Sequence, residues 1–274
     1  MNKVLFLIFL VLISYGCANS GRAPASRSAE KIDIIFDLDW TLVKQVDTPG
    51  ISRTNFLEVN GEFYRLGDGA IDLLEYLFAR SEVRVSFFSG GKFERNSKLL
   101  KKIKTKYGSA FDNAHKVLSY DDLLEVSTDV TLAFSERLKK DVSLVNKDLS
   151  RVLLIDDDKR FIVGDSQRKN LLWMGETYKH FEEFSDITNS SDVYSPKTET
   201  KWLFDRKKLY MIKDILSESL DDSDNFLERV GKESMKWNFL RNTPTLEQRQ
   251  KFLKELGSNS CSGIMEIFLI PRRL

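Results

Sequence analysis

The stretch Ile32–Val43, reading Ile-Asp-Ile-Ile-Phe-Asp-Leu-Asp-Trp-Thr-Leu-Val, constrains this chain more than any other. Ile32, Ile34, Ile35 and Phe36 form a run of β-branched and aromatic residues, which predicts a buried strand. The run ends on Asp37 and Asp39, with Thr41 following. Desolvating unpaired charge is costly, so a buried strand seldom ends on two carboxylates. At positions i and i+2 of an extended chain they point the same way, and they repel unless a cation lies between them. Taken alone, the stretch is equally well read as two solvated aspartates at a strand end. The rest of the chain weighs against that reading.

Phe56–Tyr64 predicts a hairpin turning on Asn60-Gly61, a dipeptide suited to positive φ. Ala70–Arg80 places Ile71, Leu74, Leu77 and Phe78 on one helical face. Val83–Phe88 predicts a second strand, ending Ser89-Gly90-Gly91, which by itself is an ordinary turn. Lys92–Lys106 reads as a basic helix whose lysines (Lys98, Lys101, Lys102, Lys104, Lys106) form a solvated outer face. Phe134–Asn146 is expected to be helical, and Arg151–Asp158 to be a strand ending on Asp156, Asp157 and Asp158. Phe161–Val163 and Asn170–Met174 suit further strands. Alternating strands and helices imply a largely parallel sheet with helices on both faces, where ligands bind at the carboxyl ends of strands. Asp37, Asp39, Ser89 and Asp156 all fall at such ends. His115 and His180 are the only histidines and there is no cysteine cluster, which disfavours zinc; hard oxygen donors favour magnesium.

Asp37-Leu38-Asp39-Trp40-Thr41 after a hydrophobic strand resembles the first motif, Asp-x-Asp-x-Thr, of the haloacid dehalogenase superfamily. Ser89 matches the hydroxyl residue of its second motif, and Asp156 and Asp157 match the acids of its fourth. Lys140-Asp141-Val142-Ser143, through Lys147-Asp148-Leu149-Ser150, to Asp157 resembles the phosphatases related to NLI-interacting factor and the RNA polymerase C-terminal-domain phosphatases. Asp158 departs from the small hydroxyl residue often found there. The resemblance extends from Ile32 to Phe184. It implies an α/β, Rossmann-like three-layer sandwich, the haloacid dehalogenase fold. The interval between Asp37 and Ser89 leaves room for a small cap or none.

The resemblance further implies magnesium-dependent hydrolysis of a phosphorylated protein or small phosphomonoester. Asp37 would be the nucleophile, forming an aspartyl-phosphate, and Asp39 the general acid and base. Mg2+ would be held by Asp37, Asp156 and the backbone carbonyl of Asp39, with Asp157 ligating directly or through water. Ser89 and a lysine would bind the phosphoryl oxygens. Thr41 is expected to brace the turn after the strand, and Trp40 to pack or to stack on substrate. Lys139, Lys140 and Lys147 all precede the Asp156 strand. Read on one continuous helix, Lys147 lies roughly 16 Å below Asp156 and Lys140 about 10 Å closer to the catalytic edge. The interval of 16 residues from Lys140 to Asp156 is also the spacing in the related phosphatases. Lys140 is therefore the expected catalytic and phosphate-binding lysine, with Lys139 as fallback.

The N-terminus begins with Lys3, the apolar run Val4–Ile13 and small residues around Gly16-Cys17-Ala18. The run is too short to span a bilayer and has the length of a signal-peptide core. Ser14-Tyr15-Gly16-Cys17 resembles a bacterial lipoprotein processing site. This implies a signal peptide over residues 1–17, lipidation at Cys17, and an exported protein anchored in the periplasm or cell envelope. Ordinary secretion and a retained anchor are the alternatives. Residues 18–31 read as a flexible tether, residues 32–190 as the phosphatase-like domain, and residues 195–274 as a mainly helical extension of unknown role. That extension carries helical patterns at Leu203–Leu220, Asn225–Asn238 and Thr243–Gly257, and an apolar run at Ile264–Ile270 suited to an edge strand. Asp222 and Asp224 have calcium-loop spacing, but Leu227 stands where glycine is required. With Cys17 lipidated, Cys261 has no disulfide partner within the chain. The 42 basic and 41 acidic residues nearly balance, so charge gives no argument for binding nucleic acid. Three readings remain: a phosphoprotein phosphatase-like enzyme, an exported acid phosphatase or nucleotidase of broad specificity, and a non-catalytic envelope binding lipoprotein.

Overall fold

The computed structural model describes residues 31–47, 55–179, 183–187, 191–237 and 250. The expected signal peptide, Cys17, the expected tether up to residue 30, the expected helix over Thr243–Gly257 apart from residue 250, and the expected strand over Ile264–Ile270 lie outside the described residues. Strand β1 (Ile32–Phe36) is buried along its whole length. It leads into three antiparallel strands, β2 (Val43–Val46), β3 (Phe56–Val59) and β4 (Glu62–Leu66), ordered β2-β4-β3. Asn60 and Gly61 turn the β3–β4 hairpin with φ of 56° and 80°, as the dipeptide predicts. Helix α1 (Ala70–Phe78), β5 (Val83–Phe88) and helix α2 (Phe93–Lys102) follow.

Two short ladders come next: β6 (Lys104–Thr105) pairs with β7 (Gly108–Ser109). Strand β8 (Val117–Leu118) precedes β9 (Leu124–Glu125), a four-residue helix α3 (Phe134–Arg137) and β10 (Leu138–Lys139), which pairs with β9. Strands β11 (Val152–Asp156) and β12 (Leu171–Trp173) complete a five-stranded sheet ordered β12-β11-β1-β5-β8, every neighbour parallel. Phe36 lies level with Ile155 on one side and Phe87 on the other. That register brings the ends of three strands, and the polar residues after them, to one edge.

The pleat of β1 divides the core. Ile32, Ile34 and Phe36 face the larger cluster, with α1 and α2, while Ile35 faces a smaller one formed by Phe88, Val142, Val145, Val152, Leu154 and Ile162. Asp33, fully buried on the second face, is satisfied by a bidentate Arg84 (2.6 and 2.9 Å) and by Asn146 (2.9 Å). The expected helix over Phe134–Asn146 is corrected: the α-helix ends at Arg137, and only a 3-10 turn over Val142–Leu144 follows. Leu138 and Lys139 pair with β9 instead, the Val142 amide donates to Gln167 Oε1 (3.1 Å), and Asp141 accepts from the Ser143 amide (2.9 Å). Local side-chain acceptors outcompete the helical carbonyls.

Phe161–Val163 is likewise not a strand. Asp158 caps a 3-10 turn over Lys159–Phe161, and Ile162 makes a single parallel bridge to Lys140. The pattern Leu203–Leu220 is two helices, α5 (Glu199–Arg206) and α6 (Lys208–Leu220), meeting at Lys207; α7 (Phe226–Lys236) follows a short α4 (Phe184–Ile187) and these two in the chain. Phe204, Leu209, Ile212, Ile215 and Leu216 belong to the same cluster as β1 and α1. No helix among the described residues is long and apolar enough to cross a membrane.

Candidate active site

Asp37 follows β1 directly, and its amide donates to the Ile155 carbonyl (3.0 Å), which pins it beside the end of β11. Asp156 ends β11 and Asp157 follows it; all three aspartates are buried. Their carboxylates lie within 4.8 Å of one another, the only such acid, histidine or cysteine group found among the described residues. Into this group comes Lys140, itself fully buried, whose Nζ donates to Asp37 Oδ1 at 2.8 Å and Asp156 Oδ2 at 2.6 Å. Asp156 Oδ1 accepts from the Asp158 amide at 2.8 Å, so both of its oxygens are engaged. Burial pushes the Asp37 carboxyl well above the usual carboxylate range. Lys140 pulls it down, and Asp156, Asp157 and Asp39 push it up again. Burial opposes the Lys140 charge too, but Asp156 and Asp37 hold the ammonium above its ordinary range.

Lys140 reaches the site by a route different from the one its position in a helix would give. It follows the two-residue β10, its amide donates to the Phe161 carbonyl (2.7 Å), and it bridges to Ile162. Lys140, the lysine expected at the site, is therefore placed there by strand pairing and not by helical rise. Lys139 turns away, donating to the Ser135 (2.8 Å) and Arg160 (2.5 Å) carbonyls. Lys147 is exposed in the turn before β11.

The second group centres on Asp39. One of its oxygens, Oδ2, accepts from Ser89 Oγ at 3.0 Å and from Arg95 Nη2 at 2.5 Å. Ser89 Oγ accepts from the Gly91 amide at 3.4 Å. Gly90 and Gly91 are required for these approaches. A Cβ on Gly91 would lie 2.6 Å from Asn96 Oδ1 and 2.7 Å from Arg95 Nη2, and one on Gly90 would lie 2.9 Å from Phe134. Arg95 was missed from sequence because it sat in a helix dismissed as an outer face. The available signal was its place in the first turn of α2, immediately after the Ser-Gly-Gly at a strand end. An aromatic wall was also missed: the Phe161 ring lies 4.5 Å from Lys140 Nζ, Phe134 packs edge-on against Phe161 (5.9 Å), and Tyr120 stacks on Phe134 (6.2 Å). These rings converge only through tertiary structure.

Trp40 adopts φ of 64° in the turn between Asp39 and Val43, its ring partly exposed beneath the Lys44 ammonium (5.0 Å). Thr41 does not brace that turn through its side chain, since its buried hydroxyl has no hydrogen-bond partner among the described residues. Its carbonyl does the tying, accepting from Tyr178 Oη at 2.9 Å. Asp158, whose role the sequence left open, holds the loop behind the site. It accepts from Ser135 Oγ (2.8 Å), the Arg160 amide (3.0 Å) and the Arg160 guanidinium (2.7–3.2 Å).

A divalent cation fits the residues present. Three buried carboxylates lie within 4.8 Å of one another, all donors are hard oxygens, and Asp37 is held high by burial. A parallel α/β sheet with a small antiparallel insert, acids after β1 and β11, a hydroxyl after β5 and a buried lysine define a phosphatase of the haloacid dehalogenase type. The model of the NLI interacting factor-like phosphatases matches residues 32–187, more than half of the chain. The chain belongs to that family. It is similar to the solved structure of Fcp1, an essential RNA polymerase II CTD phosphatase, with a TM-score of 0.42 and 16% identity over 75% of this chain and 71% of that one. It is also similar to a variant of fission yeast Fcp1 bound to beryllium fluoride, with a TM-score of 0.38 and 17% identity over 85% of this chain and 62% of that one. No curated protein matches it.

Proposed function

We propose that this phosphatase hydrolyses phosphomonoesters with Mg2+, through an aspartyl-phosphate on Asp37. The observation that carries the proposal is the buried Lys140, shared between Asp37 and Asp156 with Asp157 within 4.8 Å. Asp37, Asp156 and Asp157 would hold the cation, with the Asp39 carbonyl as a further ligand. When bound it supplies positive charge that offsets repulsion between carboxylates and phosphate. Asp37 attacks phosphorus and forms the acyl-phosphate bond as the ester oxygen departs with a proton from Asp39. Water then attacks phosphorus, Asp39 takes up its proton, and Asp37 is released with inorganic phosphate. Ser89 and Lys140 hold phosphoryl oxygens, and Lys140 lowers the repulsion Asp37 meets.

The substrate class proposed is a phosphoprotein or a small phosphomonoester. The processing-site pattern ending in Cys17 supports lipid anchoring in the cell envelope, which favours broad specificity as the second reading. The test is hydrolysis of p-nitrophenyl phosphate with Mg2+ and with EDTA, followed by phosphopeptides, nucleotides and sugar phosphates. Asp37→Asn should abolish turnover, because an amide is a very poor nucleophile. Asp39→Asn should slow it by roughly 10²–10⁴-fold. Near-wild-type activity in Asp37→Asn would exclude the covalent route.

A further inference from the structure

A row of cations leads away from Asp39 along α2. Arg95, Lys98 and Lys102 stand at i, i+3 and i+7, hence on one side of the helix. Arg95 touches Asp39 (2.5 Å), and its buried Nη1 has no hydrogen-bond partner among the described residues. Lys98 and Lys102, with Lys101, line a groove of about 460 Å³ whose other wall is Glu58, Val59 and Asn60 at the tip of the β3–β4 hairpin. Lys98 is tied there, to Asn60 Oδ1 at 3.0 Å and Glu94 Oε1 at 2.7 Å, and Lys101 lies over the Phe111 ring. Lys102 is exposed and makes no ion pair among the described residues. Glu58 in the wall and Glu94 on Lys98 offset two of the three lysine charges, which leaves the groove positive by one.

Resting on the phosphatase reading above, we infer that the substrate is a phosphopeptide with acidic residues beside its phosphorylated side chain, lying along α2. With the phosphate at Asp37, the acidic side chains meet Arg95, Lys98 and Lys102 in turn. The row from Arg95 to Lys102 is about 10 Å long, which an extended peptide covers in about three residues. Arg95 stands at the head of the row, where its half-buried guanidinium, already paired with Asp39, adds positive charge. Charge complementarity, and the step of one helical turn from Lys98 to Arg95 beside Asp39, favour a peptide over a membrane surface, which would need a broad face rather than a groove.

The test uses the full-length protein and phosphoserine peptides identical except for acidic, neutral or basic flanks. The acidic peptide should exceed the neutral one in kcat/KM by about tenfold, through KM, and the ratio should shrink as salt screens the charges. Lys98→Ala/Lys102→Ala should bring the ratio close to one. Equal kcat/KM for all flanks, or a ratio that survives the double substitution, overturns the inference. Loss of binding to phosphatidylglycerol vesicles in the double variant, with no flank preference in the wild type, overturns it in favour of a membrane. Hydrolysis of p-nitrophenyl phosphate reports separately on the phosphatase reading. If that fails, anisotropy of labelled phosphonate peptides, which needs no turnover, still decides: tighter binding of the acidic peptide supports the groove, and equal Kd values overturn it.

Discussion

Lys140 occupies the position with the greatest electrostatic consequence in the site. Removing it leaves Asp37 and Asp156 buried and facing each other, so Lys140→Ala should cripple hydrolysis, whereas the exposed Lys147→Ala should be nearly silent. Parallel kinetics, with thermal melts to separate lost chemistry from lost fold, check this; a dead Lys147→Ala beside an active Lys140→Ala would reverse the assignment. The residues legible in sequence were those whose burial is costly without a reason. Asp37, Asp39 and Asp156 announce themselves because carboxylates at the ends of apolar strands need partners. Arg95 and the Tyr120, Phe134 and Phe161 wall carry no such signal, since an arginine on a helix and aromatics in loops have common explanations that only tertiary neighbours exclude.

The strands and hairpin were readable because their periodicity and turn chemistry agree, as at Asn60-Gly61. The segment between Phe134 and Asn146 was not, because its apolar spacing suits a helix while Asp141 and Gln167 take over its amides. The junction of β5 and α2 is the element most sensitive to small additions. Gly91→Ala would place a methyl group against Arg95 and Asn96, moving Arg95 off Asp39. We expect kcat/KM to fall on the order of tenfold to a hundredfold and the melting temperature to fall as well, since the nearer clash is with the buried Asn96, whose amide holds the Gly91 carbonyl at 3.0 Å.

Residues beyond the family match are part of the same folded body. Phe204, Leu209, Ile212, Ile215 and Leu216 are fully buried in the cluster that holds β1. At roughly 1.5–3 kcal/mol for each such side chain, their loss rivals the about 5–15 kcal/mol that stabilises a typical domain. Truncation after residue 190 should therefore yield insoluble or molten protein, measurable by circular dichroism and gel filtration; a cooperative melt from that fragment would contradict this. Lys208 gives the same interface a pH dependence. Burial lowers it to about 8 despite Asp205, and burial followed by Arg65 lowers Lys44 to about 8 as well. A lysine with a folded pKa below its unfolded value of about 10.4 binds fewer protons folded than unfolded between those limits. Stability should rise from about pH 8 towards about pH 10, and Lys208→Met should remove part of that rise in the melting temperature.

A lysine carried on a helix is hostage to counting, because one residue added ahead of the strand swings it by about 100°. Here the Lys140 amide is fastened to the Phe161 carbonyl and the chain between Lys140 and β11 runs through a surface turn at Lys147 and Asp148. No helical register then sets the direction of Lys140, and the intervening chain is anchored instead at Asn146, which bonds Asp33 and the Asp148 amide. For a protein engineer the exposed Lys147 and Asp148 are the place to try an affinity handle near the catalytic strand, its success set by whether Asn146 keeps its bonds to Asp33 and the Asp148 amide.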